Sequence, residues 1–265
     1  MPNAELQRIN SFLSAFARRQ AGRVADLPGG FAVYDDAFAY SRANNQVVIE
    51  PGAATAIDPE ALPGIADEAL GHLPHRLISV LDDEVARACE QPLTRAGYTH
   101  STYLVMLHEG PVAAMPAVAV GRRGPAEKVT LEEMRVPLTR RWRGFLPDAD
   151  EAVLRHLVDR REARRRGADI VHFIGARTEE GEVASWADLY LAPVDGVAQI
   201  EDLVTSEAHL GQGYADAVLT TALRLAVEEG CGTRFLTADA TDWPRHWYER
   251  RGFSVIGHSH CFERG

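Results

Sequence analysis

Residues 200–215 read Ile200-Glu201-Asp202-Leu203-Val204-Thr205-Ser206-Glu207-Ala208-His209-Leu210-Gly211-Gln212-Gly213-Tyr214-Ala215, an apolar strand that breaks into a glycine-bracketed loop and passes at once into a helix. Beyond the loop, Tyr214, Ala217, Val218, Thr221, Ala222, Leu225 and Ala226 recur at helical spacing, and Gly230 and Gly232 close the run. The first turn of a helix leaves backbone N–H groups unpaired at the positive end of its dipole, and Gly211 and Gly213 remove side chains that would block a ligand. That geometry suits a pyrophosphate, although a lone Gly-x-Gly at a helix start also serves as a simple turn.

The neighbouring sequence narrows the choice. Arg234 to Ala238 reads as a strand, Asp242 as an N-cap, Trp243 to Arg251 as a short helix, Gly252 as its C-cap and Phe253 to Ile256 as another strand. Three pieces then stand in order: Ile200-Glu201-Asp202-Leu203-Val204, Leu210-Gly211-Gln212-Gly213-Tyr214-Ala215, and Tyr248-Glu249-Arg250-Arg251-Gly252-Phe253. In this order they resemble the GNAT superfamily of acyl-CoA-dependent N-acetyltransferases, over roughly residues 129–265. The resemblance implies an α/β (α+β) fold, a twisted, mixed, mostly antiparallel sheet flanked by helices, with acetyl-CoA as co-substrate and no metal. It implies that the backbone of Leu203, Val204 and Thr205 meets the pantetheine arm and the thioester carbonyl. The loop Leu210, Gly211, Gln212, Gly213, Tyr214, Ala215 and Asp216 would cradle the pyrophosphate. Leu210 stands where the family prefers Arg or Gln, and Thr241 where an Asn often meets the cofactor.

Acyl transfer to an amine requires loss of an ammonium proton, stabilisation of an oxyanion and protonation of the departing thiolate. An alkylamine of pKa ~10.4 costs roughly 4.6 kcal/mol to deprotonate at pH 7, so a carboxylate base is useful. Glu201 matches the position where some family members carry that base, and Tyr248 the tyrosine that protonates the thiolate. The plainer readings are a charged side chain paired with a neighbour for Glu201 and a half-buried aromatic for Tyr248. Strand alternation puts Asp202 on the face opposite Glu201.

At 265 residues, with 46% hydrophobic and 25% charged residues, the chain is long enough for two globular domains. A net charge of −10 argues against nucleic-acid binding and leaves room for a cationic acceptor. Three cysteines, Cys89, Cys231 and Cys261, without metal spacing point to a reducing, cytoplasmic setting, and no apolar run approaches the ~20 residues of a membrane span.

Read from its start, the chain opens with an amphipathic helix through Leu6, Ile9, Phe12, Leu13 and Phe16, then a strand over Phe31 to Tyr40 that turns at Asn44-Asn45 into Gln46 to Glu50. Helices around Ile65 to Leu73 and Glu84 to Arg95 and strands over Arg76 to Leu81 and Tyr98 to Leu107 follow. Leu93-Thr94-Arg95-Ala96-Gly97-Tyr98 parallels Tyr248-Glu249-Arg250-Arg251-Gly252-Phe253, each a helix end, a glycine and an aromatic strand opener. The reading is two GNAT-like domains, 1–125 degenerate and 126–265 catalytic, divided at Gly121-Arg122-Arg123-Gly124-Pro125. The first copy carries Leu93 in place of Tyr248, and its Pro63-Gly64-Ile65-Ala66 lacks the second loop glycine.

In the second half the pattern predicts a strand around Val129 to Val136, a helix over Asp148 to Arg166 whose arginine-rich end is solvated, and strands Ile170 to Ala176, Val183 to Leu191 and Val197 to Val204. Trp186, Asp188 and Tyr190 share a strand face that could offer an aromatic wall and a carboxylate to a cationic acceptor, or could simply be core. His258 and His260 share a face of the terminal strand with too few companions for zinc, and His72 with His75 reads as a surface pair. The expected activity is acetyl transfer from acetyl-CoA to a primary amine of a small molecule; a homodimer is compatible with it. The competing class is a non-catalytic acyl-CoA-binding or protein-interaction module of the same fold.

Overall fold

The computed structural model describes residues 4–111 and 126–265. The expected divide at Gly121 to Pro125 lies outside the described residues. The chain forms two compact units, the first Met1–Met106, Thr237–His246 and Val255–Gly265, the second Leu107–Leu236 and Trp247–Ser254.

The first unit opens with α1 (Ala4–Gln20), β1 (Arg23–Leu27), β2 (Gly30–Tyr34) and β3 (Gln46–Ile49). It continues with α2 (Leu62–Leu70), β4 (Arg76–Val80), α3 (Asp83–Arg95) and β5 (Thr99–His108), and takes in most of β11 (Phe253–Arg264). Its strands run in the order β1-β2-β3-β4-β11-β5. The pairs β1–β2, β2–β3 and β4–β11 are antiparallel and β3–β4 is parallel. Val47, Ile49, Ile78, Val80, Leu93 and Phe262 meet in its core. The strand expected over Phe31 to Tyr40 stops at Tyr34. Asn45 ends it, because its Oδ1 accepts from the Asp35 N–H at 2.9 Å while its Nδ2 donates to the carbonyls of Phe38 and Ser41 at 3.0 and 2.9 Å. The chain therefore curls into a polar knot before β3 begins.

The second unit contains β6 (Glu127–Val129), α4 (Leu131–Phe145), α5 (Glu151–Asp159), α6 (Arg161–Arg164), β7 (Ile170–Arg177), β8 (Val183–Ala192), β9 (Val197–Thr205) and α7 (Tyr214–Glu228). The beginning of β10 (Thr233–Asp239) and the end of α8 (Pro244–Glu249) belong to it as well. Strands β6, β7, β8 and β9 are antiparallel neighbours, and β9 pairs in parallel with Thr233–Phe235 of β10. Met134, Leu138, Val158, Phe173 and Trp186 pack together beneath α4 and α5.

The strand expected at Val129 to Val136 ends at Val129, and a helix takes over from Leu131. Thr130 Oγ1 accepts from the Glu133 N–H (3.3 Å) and Glu133 Oε2 accepts from the Thr130 N–H (2.7 Å), a capping box that starts α4. The helix buries Leu131, Met134 and Leu138 and leaves Val136 at the surface.

Candidate functional site

The site is built around an irregularity in β9. Its pairing with β8 runs regularly through Leu189↔Ile200 and Asp188↔Glu201, then resumes at Trp186↔Val204. Two residues of β9, Asp202 and Leu203, thus oppose the single Ala187 of β8, which makes a β-bulge. Asp202 takes φ 51, the one positive-φ residue other than glycine among the described residues. Aspartate tolerates this left-handed conformation better than most residues, at some cost in strain. The expectation that Asp202 faces away from Glu201 fails for this reason, since strand alternation does not survive the bulge.

Two arginines hold the irregularity in place. Arg161 Nε donates to Asp188 Oδ1 at 3.1 Å, and its Nη2 donates to Asp202 Oδ2 at 2.9 Å. Arg164 Nη1 donates to Asp202 Oδ2 at 2.9 Å and also bonds Asp188 Oδ2, which accepts the Tyr190 hydroxyl proton at 3.0 Å. Arg161 is 2% exposed and Asp188 0%. The arginine-rich helix end expected to be solvated is therefore buried in part. Leu154, Leu157, Arg161 and Arg164 follow one another at three- and four-residue steps, so the two guanidiniums prolong the inward face of α5. Asp188 is correspondingly closed to an external cation, because its oxygens are taken by the chain's own groups.

The electrostatic result is a division of labour between adjacent carboxylates. Burial raises the Asp202 carboxyl, but Arg164, Arg161 and Arg160 outweigh it and hold it well below the ordinary carboxylate range. Glu201, which accepts from Gln199 Nε2 at 2.8 Å, is pushed up to about 7 by burial and then by the charge of Asp202, against the pull of Arg164. Charged neighbours thus leave one carboxylate fixed and the other able to exchange a proton near neutrality.

Tyr248 sits on α8, 8% exposed, edge-on to Phe253 and Trp247 at centroid distances of 5.7 and 5.2 Å. Burial, then the charges of Glu201 and Asp202, raises its phenol above the ordinary value, so the tyrosine and the two carboxylates act on one another. Its hydroxyl has no hydrogen-bond partner among the described residues. Gly252 ends the turn after α8 with φ 85.

On its other edge, β9 pairs with β10 through Val197–Gln199, and that ladder stops before Ile200. Leu203, Val204 and Thr205 follow, half-buried; the Val204 carbonyl accepts from Ser185 Oγ (2.7 Å), and Ser185 Oγ in turn accepts from Thr205 Oγ1 (3.0 Å). The loop then folds through a short turn at Glu207–His209, with Gln212 Nε2 donating to the Ala208 carbonyl at 3.1 Å and Leu210 exposed. Gly211 has φ 70, and Gly213, φ 85, is the N-cap of α7. The first-turn N–H groups of Tyr214, Ala215 and Asp216 precede the first residue that can bond back within the helix. Tyr214 is buried edge-on to His209.

Asp216 is tied to Arg251, whose guanidinium lies 3.6 Å from the centroid of the Trp247 ring. Its charge is neutralised there and does not repel an anion at the helix start. An open cavity of about 230 Å³ borders the loop, lined by Thr178, Glu179, Glu180, His209, Gln212 and Tyr214. Its two carboxylates disfavour phosphate inside the cavity itself.

Thr241 belongs to the first unit, where its N–H and its hydroxyl both donate to Asp239 Oδ1, at 2.8 and 2.7 Å. His258 and His260 both reach Asp83, at 3.2 and 2.9 Å, and His260 Nδ1 lies 3.0 Å from His100 Nε2. Among the described residues no group of three His, Cys, Asp or Glu side chains is placed to hold a metal ion. His75, expected at the surface, is buried, which lowers its pKa. Among the described residues no helix is long and apolar enough to cross a membrane.

Residues 131–253 match the family model described as Acetyltransferase (GNAT) family. Among curated protein sequences, none matches the chain. The fold is similar to that of a GCN5-related N-acetyltransferase from Kribbella flavida, 18% identical over 100% of this chain and 97% of that one, with a TM-score of 0.64. It is also similar to a conserved Staphylococcus epidermidis protein of unknown function, 11% identical over 92% and 94% of the two chains, TM-score 0.66. A tandem GNAT protein from the clavulanic acid biosynthesis pathway, 13% identical over 100% and 96%, gives a TM-score of 0.57.

Proposed function

We propose that this chain, a member of the GNAT superfamily through residues 131–253, transfers an acetyl group from acetyl-CoA to the primary amine of a small molecule. The observation that carries the reading is that Glu201, pushed up to about 7 on the strand that feeds a glycine-capped helix start, acts electrostatically on Tyr248, buried on α8. Acetyl-CoA supplies the thioester. Backbone N–H groups at the start of α7 receive its pyrophosphate, and the backbone of Leu203 to Thr205 faces the pantetheine arm and the carbonyl. Glu201 takes the ammonium proton, directly or through one water. Tyr248, protonated at neutral pH because its phenol is raised, returns a proton to the departing sulfur.

The sign of the pH dependence follows. Glu201 acts as a base only when ionised, so kcat at saturating acceptor should rise with pH through a midpoint near its value of about 7. The check is thiol release across a panel of amines, repeated with Glu201→Gln, which should remove that acid limb. No thiol release with any amine, alongside intact acetyl-CoA binding, would favour the non-catalytic acyl-CoA-binding module.

Gly213→Val should weaken acetyl-CoA binding about tenfold or more, because a β-branched residue is strained at φ 85 and its side chain crowds the helix start. Calorimetric titration reads this, and an unchanged dissociation constant would remove the loop from the coenzyme site.

We read residues 1–125 as a degenerate copy of residues 126–265. Gly97 follows α3 with φ 86 as Gly252 follows α8 with φ 85, but Leu93 stands where the second copy has Tyr248. The free thiols of Cys89, Cys231 and Cys261 accord with a cytoplasmic setting.

A further inference from the structure

Helix α4 carries one arginine that the fold does not account for. Arg135 bonds Glu132 and Asp159, Arg140 bonds Glu182, and Arg143 bonds Glu151. These pairs lie on the outer faces. Arg141 lies seven residues after Met134 and three after Leu138, on the stripe that turns toward the core. An apolar residue belongs there. Its guanidinium instead lies 5.1 Å from the centroid of Phe145, which is 64% exposed, and among the described residues no carboxylate comes within ion-pair distance of it. Burial lowers its pKa, and the charges that act on it are those of Asp202 and Arg161. It therefore stands within electrostatic reach of the carboxylate next to Glu201.

The surrounding charge points the same way. Arg141, Arg160, Arg161 and Arg164 all act on Asp202, and Asp202, Asp188 and Arg164 act on Glu201. Asp188 and Asp202 are engaged by Arg161 and Arg164, and Glu201 is part-protonated near neutrality. In a chain of net charge −10, this spot carries a local excess of positive charge. A desolvated guanidinium with two parallel donors and no internal acceptor matches a carboxylate brought by a ligand.

We propose that Arg141 receives a carboxylate carried by the acceptor, so that the substrate class is an amino acid rather than a simple amine. This rests on the acceptor site lying beside Glu201, as the transfer reading requires. The carboxylate would fix the acceptor at one end while its amine is presented to Glu201 at the other.

The test compares amino acids having one to five carbons between amine and carboxylate, each against its own primary amide, by calorimetry on the full chain and by thiol release from acetyl-CoA. At one chain length the acid should bind at least about tenfold more tightly than its amide, the scale of a charge-assisted pair. Arg141→Gln should bring that ratio to about one, and Arg141→Lys, which keeps the charge and loses the fork, should keep part of it. Equal binding of acid and amide at every length, or no binding of either, would overturn the assignment, as would a preference that survives Arg141→Gln. A preference that depends on Arg141 without any thiol release would uphold the site and sink the transfer reading instead.

Discussion

Tyr248→Phe is expected to lower kcat about 10²- to 10⁴-fold at neutral pH while leaving acetyl-CoA affinity nearly unchanged, the range of a general acid's contribution. The variant keeps the ring that packs edge-on against Phe253 and Trp247 and deletes only the hydroxyl. Because that hydroxyl has no internal partner among the described residues, its removal leaves no orphaned group behind, and a loss of rate can be assigned to the proton. Burial raises the phenol, so the wild-type acid stays loaded well above neutrality. Steady-state kinetics with a coenzyme titration decide it. A loss under about threefold would return Tyr248 to packing and leave solvent as the acid; a collapse of coenzyme binding would make the ring part of the coenzyme wall.

The largest effect on stability is expected at Asp188. Removing it by Asp188→Ala leaves Arg161 and Arg164 sharing Asp202 alone in a buried site, and breaking such a network costs about 3–5 kcal/mol. For a unit of this size that corresponds to a fall in melting temperature of roughly 10 °C. Glu228→Ala, which removes the exposed partner of Arg224, should cost well under about 1 kcal/mol. Urea titrations followed by tryptophan fluorescence compare the two, and equal small losses would show that the network is not what secures the bulge. The acid side has its own sign. Asp202 is held below its unfolded value of about 3.9, so its stabilising contribution is complete above that pH and is lost as the pH falls further.

Much of this was legible in the residues themselves. The strand, Gly-x-Gly and helix at residues 200–228 formed as read, because glycine spacing and helical periodicity are local signals that survive folding. The capping box at Thr130 and Glu133 was equally visible, but Val129 and Leu131 also satisfy a two-residue period, and that reading gave a strand. Arg161 and Arg164 were legible only by following the stripe from Leu154 past the point where its residues stop being apolar. The bulge at Asp202 left no mark in the sequence, since it arises from the count of residues on β8 against β9. With it went the true orientation of Asp202 and the closed state of Asp188. Arg141 went unnoticed because a charged residue on an inward stripe declares itself only once the partners of its neighbours are known.

The place of β11 bears on how the protein is made. β4, in the first unit, is bounded on one side by β3 and on the other by β11, from His260↔Val80 to Arg264↔Arg76. A ribosome releases β4 well before β11, so through that interval β4 exposes an unpaired edge. Domains generally fold in the order in which they emerge, yet this unit can complete its sheet only after residues 107–236 have been made. The earlier strands of this unit must wait, open to misassociation, for the later strand that closes them.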